Sequence, residues 1–335
     1  MAADEGDAFS IEHRLAGFAV DLDFSSIPDA VIQQARRALV NVLATSFAGC
    51  REPAVEKALH VLAPCSAAGT VALVGRPETA DVLSAAFINA MAANIHDFDD
   101  THPATIIHPS APVVPALAAL AQTRKVSGRT FLAAFVAGAE AECRIGNAIS
   151  PGHYARGWHI TSTCGVIGSA LGAARLLGLD SQRAVWAMAN AAVQSSGLVQ
   201  ALGTMSKSIS VGGAARNGLV AALLAETGFS GPDDVLTGEC GLLTLYGDGA
   251  PDLGAVAGGL GSDWTFATNT YKPYPVGVVL NAVIDAALEL RRRGLDDPAR
   301  IRSVTVHANP LLRQRTDRPE VESGRLSQVS LQHAL

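Results

Sequence analysis

The chain has 335 residues, of which 49% are hydrophobic and 17% charged, so it can bury a large core as one domain or two. A net charge of −6 without any basic run argues against nucleic acid and anionic membrane surfaces as partners. The five cysteines occur singly, which disfavours a zinc ribbon or a disulfide scaffold and fits a reducing compartment. The acidic first residues lack an apolar stretch, so we expect no signal peptide and a cytoplasmic protein.

Helical patterns dominate the chain through about residue 265. The first strong helix is predicted over residues 28–48, where Ile32, Leu39, Leu43 and Phe47 share one face. Residues 70–75 are predicted to form a short strand or a hairpin arm, and Thr79 is predicted to cap a helix over residues 79–96. Further helices are predicted over residues 116–122, 128–149, 163–177, 181–197 and 212–227.

The pattern changes after a proline-rich segment that begins at Lys272. A helix is predicted over residues 280–293, and the alternating sequence IRSVTVH at residues 301–307 predicts a β-strand. The sequence therefore predicts a mostly α protein. A large all-helical domain over residues 1–268 is followed by the start of a smaller α+β domain over residues 269–335.

The segment HDFDDTHP, which begins at His96, ends an apolar helix with three aspartates. Acidic residues are disfavoured at a helix C-terminus because the helix dipole is negative there. If the helix continues, Asp97, Asp100 and Thr101 share one face, and the proline-punctuated chain that follows can return His108 to it. A solvated acidic turn and a divalent metal site are the alternative interpretations.

A second polar segment, HYARGWHITST, precedes the helix predicted over residues 163–177. If Thr161 or Ser162 caps that helix, His159 lies at its positive end among free N–H groups, which is a natural place for an anion. A histidine at such a position also gives up its proton more readily. A surface loop histidine is the alternative interpretation.

Two lysines complete the set of candidate residues. Lys207 is the first charged residue after 23 uncharged ones, and Lys272 precedes a proline at the boundary between the two predicted domains. A lone lysine usually extends to solvent, but these two are also candidate ligands for a carboxylate in an interdomain cleft. Together the segments supply groups suited to proton transfer beside an anionic substrate.

These same segments resemble the MmgE/PrpD family over nearly the whole chain. The matching stretches are AANIHDFDDTHPATIIHPSAPVVPALAALA, GHYARGWHITSTCGVIGSALGAARLLGL, GTMSKSISVGGAARNGLVAALLA and YKPYPVGVVLNAVIDAALEL. The resemblance implies 2-methylcitrate dehydratases, cis-aconitate decarboxylases and iminodisuccinate epimerases, which act on small di- or tricarboxylates without a metal, an iron–sulfur cluster or another cofactor. It also implies a helical domain with a smaller α+β lid, usually in a homodimer.

The resemblance implies a site composed of six residues of this chain. Asp97, His108 and His159 are the expected catalytic residues, with the histidines as general acid and base and the aspartate orienting or tuning them. The expected substrate-binding residues are Thr101, which donates a hydrogen bond, and Lys207 and Lys272, which bind substrate carboxylates. No metal ligand is expected.

Two departures from the family pattern affect the predicted activity. Decarboxylases of the family carry a lid tyrosine, whereas this chain has no tyrosine after Tyr274, and its matching region reads NPLLRQRTDRPE. The chain also stops at SLQHAL, so we expect an incomplete lid. The sequence therefore favours a dehydratase-type lyase that acts on a hydroxy polycarboxylate such as 2-methylcitrate. The alternatives are an epimerase or isomerase, a decarboxylase, or an inactive protein that only binds ligand or dimerises.

Overall fold

The computed structural model describes residues 10–335. Residues 1–9 lie outside the described residues. They include the start of the predicted domain 1–268 and part of the segment on which the prediction of no signal peptide depends. Sixteen α-helices and one two-stranded hairpin form the described part of the chain, so the prediction of a mostly α fold is confirmed.

In chain order, three helices within residues 10–335 precede the hairpin and thirteen follow it. The elements are α1 (Ile11–Asp21), α2 (Asp29–Gly49), α3 (Pro53–Leu62), β1 (Val71–Ala72), β2 (Thr79–Ala80), α4 (Val82–Asn94), α5 (Ser110–Ala121), α6 (Gly128–Ile149), α7 (Gly152–Ala155), α8 (Ile160–Leu177), α9 (Ser181–Ala192), α10 (Ser206–Glu226), α11 (Leu242–Tyr246), α12 (Leu253–Ala257), α13 (Asn281–Arg292), α14 (Pro310–Thr316), α15 (Gly324–Ser327) and α16 (Leu331–Ala334).

Helix α8 lies at the centre of the helical core, with α5, α6, α9 and α10 packed around it. Its sequence is almost entirely small or apolar, so every side can face another helix. Helices α8 and α10 are long and apolar enough to cross a membrane, but 83% and 56% of their most apolar stretches are buried inside the protein. This burial is typical of interior helices in a packed bundle.

Glycines allow the backbones of neighbouring helices to approach one another. A Cβ on Gly218 of α10 would meet the carbonyl of Val166 and lie 2.5 Å from the Cβ of Ser169, both in α8. Gly138 of α6 and Gly168 of α8 make a similar close approach. The small residues at these crossings therefore determine how closely α6, α8 and α10 can pack.

Most errors in the predicted boundaries have local causes. Thr79 does not cap α4, because its backbone pairs with Ala72 in the hairpin, and Asp81 caps the helix instead by accepting from the N–H groups of Leu83 and Ser84. The helix predicted over residues 116–122 begins earlier, at Ser110, so it contains Pro112 and Pro115. The helix predicted over residues 212–227 likewise begins earlier, at Ser206.

The β-strand predicted over residues 301–307 is wrong. This segment has no regular structure, and the hairpin β1–β2 is the only sheet among residues 10–335. An extended segment needs a hydrogen-bonding neighbour to become part of a sheet, and an isolated strand is marginal in water. Residues 269–335 consist instead of short helices and connecting segments, with Ile301 and Val304 exposed.

The apolar face predicted for α2 is only partly buried. Ile32 lies in the core, with 5% of its surface exposed, whereas Leu43 and Phe47 are 50% and 66% exposed. The adjacent Val40 is 69% exposed. Apolar periodicity identified the helix correctly, but it did not show that the face turns away from the core toward the C-terminal end of α2.

We predict that Gly218→Ala lowers the free energy of unfolding by about 1–3 kcal/mol, because the new methyl group must push α10 away from α8. Gly213→Ala in the same helix is the matched control, since a Cβ there meets nothing within 4 Å. It should be neutral or raise stability by up to about 1 kcal/mol through helix propensity. Urea unfolding of both variants tests this, and equal effects would contradict the proposed close packing.

Candidate active site

The acidic segment after α4 forms a turn. Helix α4 ends at Asn94, and Asp97 adopts a positive φ of 53°, a conformation that few residues other than glycine adopt. Asp97, Asp100 and Thr101 therefore do not share a helical face as the continued-helix interpretation required. The chain then folds back on itself through pairing of His102 with Ile107, and this return brings His108 beside Asp97.

The Asp97 carboxylate connects Lys272, which is buried, to Lys207, whose side chain is 12% exposed. Lys207 from α10 donates to Asp97 Oδ1, and Lys272 Nζ lies 3.1 Å from the same oxygen while donating to the Asp97 carbonyl at 2.9 Å. Burial by itself would raise the pKa of Asp97, but the two ammonium groups hold it well below its usual range. Burial opposes the charge on Lys207, yet Asp97 and Asp99 raise its pKa above the ordinary value. Asp97 and Lys207 are therefore both charged at neutral pH.

His108 is oriented by the backbone of the same turn. Its Nδ1 lies 2.8 Å from the carbonyl oxygen of Asp100, and since a carbonyl can only accept, Nδ1 must carry the proton. The Thr101 hydroxyl lies 3.2 Å from the same nitrogen. Burial lowers the pKa of His108, so the neutral ring has its lone pair on Nε2, 3.9 Å from Asp97 Oδ1. This tautomer suits a general base.

His159 occupies the N-cap position of α8, where its backbone N–H donates to the carbonyl of Gly197. No side chain caps the helix: the Ser162 hydroxyl donates to the His159 carbonyl, and Thr161 accepts from the N–H of His108. The prediction that Thr161 or Ser162 caps α8 is therefore wrong, although His159 does lie at the predicted positive end. Burial, followed by the charge of Lys207, lowers the pKa of His159 to about 3.

Five of the six predicted site residues line one cavity of about 60 Å³. Thr101 is the exception: it is buried behind His108 and reaches the cavity only through that ring. The prediction that Thr101 donates directly to substrate therefore does not fit this geometry. The cavity is lined by Asp97, Ile106, His108, Tyr154, His159, Leu202, Lys207, Lys272, Gly277, Val278, Val279, Arg315, Thr316 and Val329.

A second group of buried polar residues supports the acidic turn from behind. Ser110 and Asn269 donate to Asp100 Oδ2 at 2.5 and 2.6 Å, and Asn94 donates to Asp99 Oδ2 at 2.6 Å. Burial raises the pKa of Asp100 to about 7 despite these hydrogen bonds. Asn94 and Ser110 lie in apolar sequence, and such isolated polar residues were the signal that could have identified this supporting group.

Three residues at the site were not predicted. Ser210 lies one helical turn after Lys207 and places its hydroxyl 3.2 Å from His159 Nδ1, which the i, i+3 spacing could have indicated. Tyr154 lies in the segment already identified around His159. Arg315 comes from a distant part of the chain, and no local pattern in the sequence associates it with the others.

The charges favour an anion over a metal ion in this cavity. Ligand atoms of Asp97, Asp99 and His108 lie within 4.8 Å of one another, a grouping that could hold a metal. However, Lys207 and Lys272 already contact Asp97, so a divalent cation would have to displace or approach two ammonium groups. The arrangement is suited instead to binding carboxylates beside groups that transfer protons.

We predict that His159 stays neutral between about pH 5 and pH 8 in the protein without ligand. Its lowered pKa means that the ring gains a proton only near about pH 3, whereas an ordinary histidine titrates near 6.5. Proton NMR of the ring resonances, assigned with His159→Gln, measures this directly. A midpoint near the ordinary value would show that the ring is solvated and that the buried geometry is incorrect.

Comparison with known proteins identifies the family of this chain. The model of the MmgE/PrpD N-terminal domain matches residues 13–253. The cis-aconitate decarboxylase of Homo sapiens is 31% identical over 293 residues, covering 84% of this chain and 60% of the relative. That of Aspergillus terreus (strain NIH 2624 / FGSC A1156) is 28% identical over 306 residues, covering 88% and 62%. The chain thus spans about three fifths of the length of these relatives, and it belongs to the MmgE/PrpD family.

Proposed function

We propose that this chain is a lyase that acts on a small di- or tricarboxylate by proton transfer, without a metal. The observation that carries the proposal is the single cavity in which two buried ammonium groups face two neutral imidazoles. The lysines are suited to binding carboxylates, and the histidines are suited to moving a proton at an adjacent carbon. The proposed substrate follows from this chemistry and from the relatives named above.

Each residue of the cavity has a distinct proposed role. Lys207 and Lys272 bind substrate carboxylates, and Asp97 holds both ammonium groups in position. His108 acts as a base through Nε2, and His159 is its partner in proton transfer. Thr101 and the Asp100 carbonyl orient His108, so we revise the role of Thr101 from binding substrate to positioning the base.

Decarboxylation of a cis-aconitate-like substrate is the reaction that we propose first. The relatives described above are named cis-aconitate decarboxylases, and this favours decarboxylation over the predicted dehydration of 2-methylcitrate. In this reaction the carbon–carbon bond breaks, CO₂ leaves and the electron pair stays on carbon. A histidine that has taken up a proton from solvent as the anionic substrate binds then donates that proton to the carbon. The lysines stabilise the negative charge that remains on the neighbouring carboxylate.

Dehydration of a hydroxy polycarboxylate is the second candidate. It is favoured by the region NPLLRQRTDRPE, which contains no tyrosine where the resemblance places one in decarboxylases. A base would remove a proton from the carbon beside a carboxylate, and the hydroxyl would leave as water with a proton from the acid. The homodimer and the cytoplasmic location stay predictions.

We expect the purified chain to release CO₂ from cis-aconitate. We expect EDTA to leave the rate unchanged, because lysine ammonium groups supply the positive charge that a metal ion supplies in a metalloenzyme. Two measurements distinguish the reactions. Release of CO₂ reports decarboxylation, and the ultraviolet absorbance of the conjugated product reports dehydration of 2-methylcitrate. Turnover of 2-methylcitrate alone would replace the first candidate with the second. Loss of activity in EDTA, restored by one metal, would contradict the proposed chemistry.

We predict that Lys207→Ala and Lys272→Ala weaken binding of the unreactive tricarboxylate tricarballylate by about ten- to a hundredfold, because each removes a charge-assisted contact. His159→Ala should mainly lower the turnover number. Lys125→Ala, at an exposed position, is the matched control and should bind normally. Titration calorimetry measures the affinities, and unchanged affinity in both site variants would contradict the roles given to the lysines.

A further inference from the structure

Arg315 brings a third cationic side chain to the cavity. It lies on α14, and the cavity that it lines also contains Lys207 and Lys272. The carbon at the centre of its guanidinium lies 4.3 Å from the centroid of the Tyr154 ring. In the part of the chain that the structure describes, no carboxylate lies within ion-pair distance of Arg315.

The packing of α14 directs Arg315 inward. Leu312 and Thr316 are buried at 6% and 1% exposure, and they anchor one side of this helix. Arg313 on the same helix has a side chain that is 87% exposed and lies 3.3 Å from Asp317. The two arginines are therefore in different environments: one pairs with an acid at the surface, and the other faces the cavity.

The charges around the cavity do not balance in the absence of ligand. Asp97 contributes one negative charge among the lining residues, whereas Lys207, Lys272 and Arg315 contribute three positive ones, and the lining histidines have lowered pKa values. A surplus of positive charge in a partly buried site is costly unless an anion offsets it. Asp99, which lies beside His108 and raises the pKa of Lys207, offsets part of this surplus, and the remaining positive charge matches an anionic ligand.

Stacking on Tyr154 suits Arg315 to carboxylate recognition. An aromatic face covers one side of the planar guanidinium and leaves its N–H groups free at the edges. Those edges can bind both oxygens of a carboxylate at once, a geometry that the single ammonium of a lysine does not provide. The two lysines already share Asp97, so Arg315 is the cation of the cavity whose donors are not engaged with it.

We propose that Arg315 binds a carboxylate of the substrate other than those bound by Lys207 and Lys272, and that it makes the cavity select tricarboxylates over dicarboxylates. This inference rests on the proposed function, since it assigns one more carboxylate to the same site. Arg315 lies within NPLLRQRTDRPE, the region that lacks the tyrosine of the family's decarboxylases. A guanidinium therefore reaches the cavity from that region.

Tricarballylate and glutarate are the matched probes, because tricarballylate is glutarate with a third carboxylate on its middle carbon. We expect Arg315→Gln to weaken tricarballylate about tenfold or more and glutarate less than about twofold, since a dicarboxylate can be bound by the lysines alone. Arg313→Gln, on the same helix, should change neither affinity. Arg315→Lys keeps the positive charge, but an ammonium group cannot bind both carboxylate oxygens in the same way as a guanidinium. This variant should therefore recover only part of the affinity for tricarballylate that Arg315→Gln loses.

Calorimetric titrations of the full chain, with circular dichroism to compare the folding of each variant, separate the outcomes. If Arg315→Gln binds tricarballylate as tightly as the wild type, or weakens both ligands equally, the inference is overturned. If the lysine variants still lose affinity in that case, the proposed function stands without it. A wild-type chain that binds neither ligand would overturn both.

Discussion

The shared contact of Lys207 and Lys272 with the Asp97 carboxylate is the interaction on which the site depends. Two ammonium groups buried side by side would repel each other and tend to lose their protons. The carboxylate between them offsets this repulsion and keeps Lys207 charged. It also connects the turn after α4 to α10 and to the segment that begins at residue 269, so one acid joins three separate parts of the chain.

The same charges determine how the histidines respond to ligand. Burial lowers the pKa of both His108 and His159. Lys207 lowers both pKa values further, and Lys272 adds to the effect on His108. A bound polycarboxylate would offset the lysine charges, and this change raises the pKa of both rings. A ring that is neutral in the empty site therefore takes up a proton more readily once substrate is bound, and it then carries a proton that it can donate. In the proposed decarboxylation, a protonated ring is what the carbanion requires, so the proposal couples substrate charge to proton donation.

Local patterns predicted the helical core and the principal site residues because both leave signals within short stretches of sequence. Helix α6 has the predicted limits, 128–149, and charged groups in apolar surroundings indicated Asp97 and Lys207. The remaining features depend on contacts between distant segments. The positive φ of Asp97 breaks the predicted helical face, and the segment 301–307 lacks the neighbour that its alternating pattern requires. Arg315 joins the cavity only because α14 packs against it.

The division of the cavity between two parts of the chain has a consequence for specificity. His159 and Lys207 come from long helices of the buried core, where a shift in position would disturb many close contacts. Arg315 comes from a seven-residue helix that is anchored by two buried side chains. Changes in that short helix can alter which carboxylates the cavity accepts while the proton-transfer residues stay in place. With the roles proposed above, separate structural elements position the proton-transfer groups and select the substrate, an arrangement that would allow one helical core to serve several related polycarboxylates.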